Sequence, residues 1–137
     1  APYQVFECAD GHIIIATGND AQHQRLCQLL GRADLAEHAD YRSNADRVRN
    51  REALADALSE ATRGLSKDDL LAQCEAQGVP AGPINSMAEV FADPQVRARG
   101  MELDLGGLKG VRSPFVIDGE RCASDLPAPV LGEADRG

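Results

Sequence analysis

The sequence predicts an α+β domain in which a small antiparallel sheet, made of an N-terminal hairpin and C-terminal strands, packs with roughly four to five helices. Three kinds of observation support this class. An Asp-Gly pair separates two β-branched segments near the N-terminus, and Ser-x-x-Asp or Ser-x-x-Glu patterns recur ahead of apolar stripes with helical spacing. Near the C-terminus, apolar and acidic residues alternate as they do in a strand with one wet face.

The N-terminal hairpin is predicted from residues 3–8 and 12–17, which are short and rich in β-branched or aromatic side chains. Asp10-Gly11 lies between them and suits the positive φ angles of a type I′ turn. Residues 13–16 are apolar at every position, which is typical of a strand buried on both faces. We therefore expect helices or another domain to cover both sides of the second strand.

The helices are predicted from their caps and from the glycines that follow them. At four of the five starts a Ser or Asn side chain accepts a backbone N–H, and at the fifth, Asp93-Pro94, the Pro in the first turn loses no hydrogen bond. The first predicted helix lies between Asn19 and Gly31, the second between Ser43 and Gly64, and the third between Ser66 and Gly78. A short fourth helix begins after Ser86 and continues through Phe91, and a fifth lies between Asp93 and Gly100.

The segment after the third helix, residues 78–85, contains two glycines and two prolines. We expect it to be irregular, because these residues fix a backbone path that a simple connection does not require. Rigid loops of this kind often line clefts.

The C-terminal strands are predicted from residues 101–105, turned by Gly106-Gly107, and from one or two short segments at Val111 and residues 115–117. After Cys122 the composition changes to prolines and small residues. We therefore divide the chain into a domain over 1–122 and an extended, Pro-containing tail over 123–137.

The composition excludes several classes of function. A net charge of −8 argues against nucleic acid as a partner, because phosphate backbones are bound by clustered Lys and Arg, which are scattered here. No apolar stretch approaches the roughly 18 to 20 residues that span a bilayer, so we expect no membrane association and a cytoplasmic location. The four cysteines form no Cys-x-x-Cys pair and are expected to be free thiols. A start at Ala1-Pro2, directly on a predicted strand, is expected of an excised domain.

Three groups of side chains are candidates for chemistry, and we favour a structural interpretation of each. His23 and Cys27 share a helix face and are a candidate metal pair or thiolate–imidazole dyad. Cys8 and His12 flank the hairpin turn. The Gly-rich turn around Lys109, residues 106–110, is a candidate phosphate cradle that lacks the spacing of a P-loop. We predict no metal site.

Seven blocks along the chain, in order, resemble the small domain of family III CoA-transferases. They are residues 2–6, 9–11, 13–16, 18–20, 78–85, 89–96 and 131–133. Family members usually continue after the last block with His and Thr, whereas this chain has Ala134-Asp135.

The resemblance implies that CoA moves between carboxylic acids through a covalent aspartyl intermediate, with coenzyme A thioesters as the substrates of the full enzyme. The nucleophilic aspartate and the principal CoA contacts belong to a large domain N-terminal to this segment. No catalytic residue is therefore assigned to this chain, and the fragment alone is expected to be inactive. The expected partners are that large domain and, in the full enzyme, a second copy in a homodimer.

Gly82, Pro83 and Asn85 are the candidate cleft residues, because the family's small domain closes over a cleft built with the large domain. Two alternatives stay open. One is a free-standing binding or interaction module without catalysis, and the other is a fragment of a racemase of the 2-methylacyl-CoA type, or of a dehydratase, in the same family.

Overall fold

The computed structural model describes residues 1–124, 126–129 and 131–132. The chain divides into two compact units, Ala1–Ile84 and Asn85–Gly137. The α+β class is confirmed, since helices and small antiparallel sheets occur in both units.

The first unit holds a three-stranded sheet and five α-helices. The strands are β1 (Tyr3–Cys8), β2 (Gly11–Ala16) and β3 (Ala81–Ile84). The helices are α1 (Asp20–Leu29), α2 (Ala33–Glu37), α3 (Asn44–Arg49), α4 (Arg51–Thr62) and α5 (Lys67–Ala76), with a 3-10 turn at Ala39–Tyr41.

The sheet has the order β1-β2-β3 and is antiparallel throughout. The predicted hairpin is confirmed, with Cys8 opposite Gly11 at the turn. The expectation that residues 78–85 are irregular is wrong at 81–84, which form β3. Pro83 is tolerated there because β3 is an edge strand, whose outward N–H positions need no partner.

The core lies on one face of this sheet. Phe6, Ile13 and Ile15 point inward and are buried against leucines of four helices. The buried leucines are Leu26, Leu35, Leu54, Leu58 and Leu70.

The opposite face is called the open sheet face below, and the strand register places on it Tyr3, Val5, Glu7, His12, Ile14, Ala16, Gly82 and Ile84. Tyr3 is 76% exposed, Val5 49% and Ile84 45%, while Ile14 is half-buried. Within the first unit, the sheet is therefore packed on one side, and coverage of the second side by another domain stays a prediction.

The predicted caps at Asn19, Ser43 and Ser66 are confirmed, since each side chain accepts the backbone N–H three residues later. The segment predicted as one helix from Ser43 to Gly64 is two helices. Asn50 separates them with non-helical backbone angles, and its Nδ2 donates to the carbonyl of Asp46 at 3.1 Å. The sequence also did not predict the short α2.

The second unit contains α6 (Met87–Ala92) and α7 (Pro94–Ala98), followed by two hairpins. The hairpins pair β4 (Glu102–Leu105) with β5 (Leu108–Val111), and β6 (Val116–Ile117) with β7 (Glu120–Arg121). The predicted C-terminal strands are therefore present, as two separate sheets. Ser86 and Glu89 form the capping box that the sequence predicts.

The predicted tail, 123–137, is described only in part. Asp125, Val130 and residues 133–137 lie outside the described residues. Two features noted in the sequence fall there: the last residue of the 131–133 block, and Ala134-Asp135, where family members usually have His and Thr. The boundary at 122/123 stays a prediction.

Candidate functional site

A groove of about 650 Å³ lies between α5 and β3, beside the segment that the sequence predicts to line a cleft. Helix α5 ends at Ala76, and Gly78, whose φ is +62°, then reverses the chain. Val79 and Pro80 then lead into β3, and the Ala16 N–H donates to the carbonyl of Pro80 at 2.9 Å. The groove is lined by Asp68, Leu71, Ala72, Glu75, Val79, Pro80, Ala81 and Pro83.

The structure does not bring the three predicted cleft residues to one surface. Pro83 pairs with Ile13 and lines the groove, whereas Gly82 pairs with Ile14 and belongs to the open sheet face. A Cβ at Gly82 would lie 3.6 Å from Cγ2 of Ile14, an ordinary contact. Asn85 follows β3 and is exposed. Successive strand residues point to opposite faces, which separates Gly82 from Pro83.

The groove is suited to binding rather than to catalysis. Among its described lining residues, six are apolar, and the charged groups are the carboxylates of Asp68 and Glu75. These repel the phosphates of a nucleotide, and the described lining residues include neither a nucleophilic side chain nor a cation. The groove therefore fits an uncharged or cationic segment.

Sequence reasoning missed the wall that α5 contributes to this groove. Asp68, Leu71, Ala72 and Glu75 follow the i, i+3, i+4, i+7 spacing of one helix face. The spacing is a usable signal, but the face mixes acidic and apolar side chains and does not stand out as a stripe.

His23 and Cys27 lie together in the core of the first unit, and Cys27 Sγ is 3.6 Å from Nε2 of His23. Burial, followed by the nearby charge of Arg47, lowers the pKa of His23 to about 4. Burial, followed by the charge of Asp34, raises the pKa of Cys27 to about 11. Both groups are neutral at pH 7, so they form a packed pair and not a thiolate–imidazolium dyad.

Cys8 and His12 point to opposite faces of the sheet. Cys8 is buried on the core side, where burial and the charge of Asp10 raise its pKa. His12 is exposed and lies opposite Glu7 on β1. The structural interpretation of this pair is therefore correct.

Lys109 is occupied by carboxylates of its own hairpin. Its Nζ lies 3.1 Å from Oε1 of Glu102 and 3.0 Å from Oδ2 of Asp104. The Gly107 N–H donates to Asp104 Oδ1, and this bond together with Lys109 lowers the pKa of Asp104. The Gly-rich segment is a charge-paired turn, which agrees with the structural interpretation.

All four cysteines are free thiols, as predicted, and Cys122 is the exposed one. Over the described ranges, no three His, Cys, Asp or Glu side chains converge as they would around a metal ion. Of the helices in the described part of the chain, none has the length and apolar composition required to cross a bilayer.

The sequence matches the family model of CoA-transferase family III over residues 1–135. Succinate–glutarate CoA-transferase of Agrobacterium fabrum is 43% identical over 138 residues, which cover 97% of this chain and 34% of that protein. Succinyl-CoA:glutarate CoA-transferase of Homo sapiens is 36% identical, with 96% and 31% covered. The chain thus spans about a third of the length of these relatives.

Solved structures give the same result. A CAIB/BAIF family protein from Brucella suis has a TM-score of 0.86 and 46% identity, over 98% of this chain and 35% of that one. The orthorhombic form of Rv3272 from M. tuberculosis has a TM-score of 0.75 and 26% identity, over 98% and 37%.

Proposed function

This chain belongs to CoA-transferase family III, and we propose that it is the small domain of an enzyme that moves coenzyme A between carboxylic acids. The resemblance found in the sequence blocks is thereby confirmed. The observation that carries the proposed activity is the alignment of nearly the whole chain with about a third of each related CoA-transferase. By likeness to relatives named for succinate and glutarate, the substrates are CoA thioesters of short dicarboxylic acids.

In the proposed reaction, an aspartate of the large domain attacks the carbonyl carbon of the donor acyl-CoA. CoA leaves as its thiolate and a mixed anhydride forms; the thiolate then attacks the aspartyl carbonyl and displaces the donor acid, leaving an aspartyl thioester. The acceptor carboxylate repeats these steps in reverse, which restores the aspartate and yields the new acyl-CoA. Hydrogen-bond donors that face the developing oxyanions stabilise the transition states.

The 137-residue chain supplies no nucleophile to this sequence and is inactive by itself. The buried thiols of Cys8, Cys27 and Cys74 support this assignment, because burial raises the pKa of each, and the exposed Cys122 is not among the described residues that line the groove on α5. A buried neutral thiol is a poor nucleophile.

The large domain of the same enzyme covers the open sheet face, and the complete enzyme is a homodimer. The exposure of Tyr3, Val5 and Ile84 supports the first of these statements, since grouped apolar side chains of this kind mark interaction surfaces. The free thiols are consistent with a location in the reducing cytoplasm.

Gly82, Pro83 and Asn85 contribute to the substrate cleft that the two domains form. Gly82 has no side chain above Ile14, so a partner or substrate can approach its backbone closely. Pro83 borders the groove on α5, and the exposed amide of Asn85 can donate and accept hydrogen bonds.

The test is a chimaera in which this chain replaces the matching third of the A. fabrum succinate–glutarate CoA-transferase. We expect the chimaera to transfer CoA from succinyl-CoA to glutarate and the isolated chain to be inactive. The parent enzyme and a version lacking that third are the controls. A chimaera that folds as a dimer but transfers no CoA would contradict the proposal, as would transfer by the isolated chain.

A further inference from the structure

A surface cavity of about 360 Å³, open to solvent, brings apolar side chains of the second unit together with two exposed arginines. It lies within Asn85–Gly137 and shares no residue with the groove on α5. Four apolar side chains and two guanidinium groups form most of its lining. These residues are Val96, Met101, Pro114, Val116, Arg99 and Arg121.

The fold brings both arginines to the lining of one cavity, although they are far apart in sequence. Arg99 caps the C-terminus of α7, and Arg121 lies on β7 directly opposite Val116 of β6. A Cβ at Gly100 would lie 3.4 Å from Nη1 of Arg121, so the guanidinium reaches the backbone next to Arg99. Twenty-two positions of sequence separate the two arginines, which explains why the sequence shows them as scattered.

The guanidinium groups of Arg99 and Arg121 differ in their hydrogen bonding from those of Arg97 and Arg112 in the same unit. Arg97 Nε donates to the carbonyl of Phe91 at 3.1 Å, and Arg112 Nε donates to that of Gly100 at 2.9 Å. Arg99 and Arg121 make no side-chain hydrogen bond or ion pair with any residue in the described ranges. Two cations that line one cavity make the local potential positive, which favours a bound anion.

We propose that this cavity binds an oxyanion joined to a short apolar chain. Guanidinium groups bind carboxylates and phosphates through paired, charge-assisted hydrogen bonds, while Val96, Met101 and Val116 provide the surface for hydrocarbon. Gln95 and Ser113 add an amide and a hydroxyl. The volume is at the small end of ligand pockets, which suits an aliphatic carboxylate or the phosphate end of a phosphopantetheine.

The chain offers a probe at the cavity and an internal control. It contains two methionines, Met101 in the lining and Met87, which is exposed on α6 and absent from the lining. With ¹³C-methyl-methionine label in the full chain, titration with glutarate or with pantetheine 4′-phosphate is expected to shift the Met101 signal saturably and leave the Met87 signal in place. Met87→Leu assigns the two signals.

A saturable shift with either glutarate or pantetheine 4′-phosphate supports the site. The ligand that binds more tightly identifies the oxyanion as a carboxylate or a phosphate. Inorganic phosphate, which has no apolar chain, is expected to bind more weakly than both. No saturable shift of Met101 with either ligand, or equal binding of inorganic phosphate, would overturn the proposal.

Charge removal supplies the second measurement. Arg99→Gln and Arg121→Gln are each expected to weaken binding about tenfold, the size of one charge-assisted hydrogen bond. Arg51→Gln removes the same charge from an exposed position in the first unit and is expected to leave affinity unchanged. Unchanged affinity in the double variant would contradict the site. Because the readout is binding, the result is independent of whether the chimaera described above transfers CoA.

Discussion

Arg47 is completely buried, and its Nη2 atom lies 2.6 Å from Oδ1 of Asp20, the first residue of α1. The same guanidinium donates to three backbone carbonyls, through Nε to Ala1 and through Nη1 to Tyr41 and Arg42. One side chain thus joins the residues before β1, the start of α1 and the turn before α3. A buried cation is stable only with such a complete set of partners.

Arg47→Ala is expected to destabilise the chain by about 3 to 5 kcal/mol, because it leaves carbonyls and the Asp20 carboxylate without their donor. Asp20→Asn should cost about 1 kcal/mol, since the Asp20 side chain is 56% exposed and the amide oxygen that replaces its carboxylate can still accept from Arg47. Urea unfolding followed by circular dichroism measures both values. A loss for Arg47→Ala no larger than that for Asp20→Asn would contradict this account of the buried guanidinium.

Local features of the fold could be predicted from sequence because the interactions that form them span only a few residues. The Asp10-Gly11 turn is one example, and the caps at Ser66 and Ser86 are others, each closed by a backbone N–H three residues on. The α+β class follows from these local patterns together.

The remaining features depend on partners far away in sequence. Gly82 and Pro83 predict irregular backbone, and only pairing with Ile13 and Ile14 makes them a strand. Arg47 lies in a polar stretch, and nothing nearby indicates that its guanidinium is buried. Arg99 follows α7 and Arg121 lies on the β6–β7 hairpin, and no sequence period encodes the placement that brings both to one cavity.

Acid should destabilise the wild-type chain more than a His23→Gln variant. The pKa of His23 falls from 6.5 to about 4 on folding, so between these values the unfolded state binds more protons than the folded state. The stability contributed by neutral His23 is therefore complete above about pH 6.5 and is lost as the pH falls toward 4. Melting temperatures at pH 7, 6, 5 and 4.5 test this, and parallel curves for the two proteins would contradict it.

One thiol per folded chain should react with a disulfide reagent at pH 8. Cys122 is exposed, whereas Cys8, Cys27 and Cys74 are buried, and burial raises the pKa of Cys27 and of Cys74 to about 11. The other three thiols should react only after unfolding in guanidinium chloride, and Cys122→Ser should remove the fast phase. Fast reaction of Cys27 in the folded chain would contradict the conclusion that Cys27 and His23 are a neutral packed pair.

Gly82→Leu tests whether the open sheet face is an interface of the complete enzyme. In the isolated chain, the added side chain meets Ile14 at ordinary contact distance, so the free energy of unfolding should change by less than about 1 kcal/mol. In the chimaera with the A. fabrum enzyme, the same side chain would separate the large domain or the substrate from the strand. We expect kcat/KM for CoA transfer to fall at least about tenfold, the effect of misplacing groups around a reacting centre.

Gly64→Leu is the matched control, because Gly64 is exposed, would have no atom within 4 Å of an added Cβ and takes no part in the strand pairing. It should leave kcat/KM of the chimaera unchanged. If Gly82→Leu and Gly64→Leu chimaeras are equally active, no partner approaches Gly82, and its place in the cleft is refuted. If both lose activity while the isolated variants remain stable, the chimaera is intolerant of surface change, and the open sheet face is not singled out as the interface.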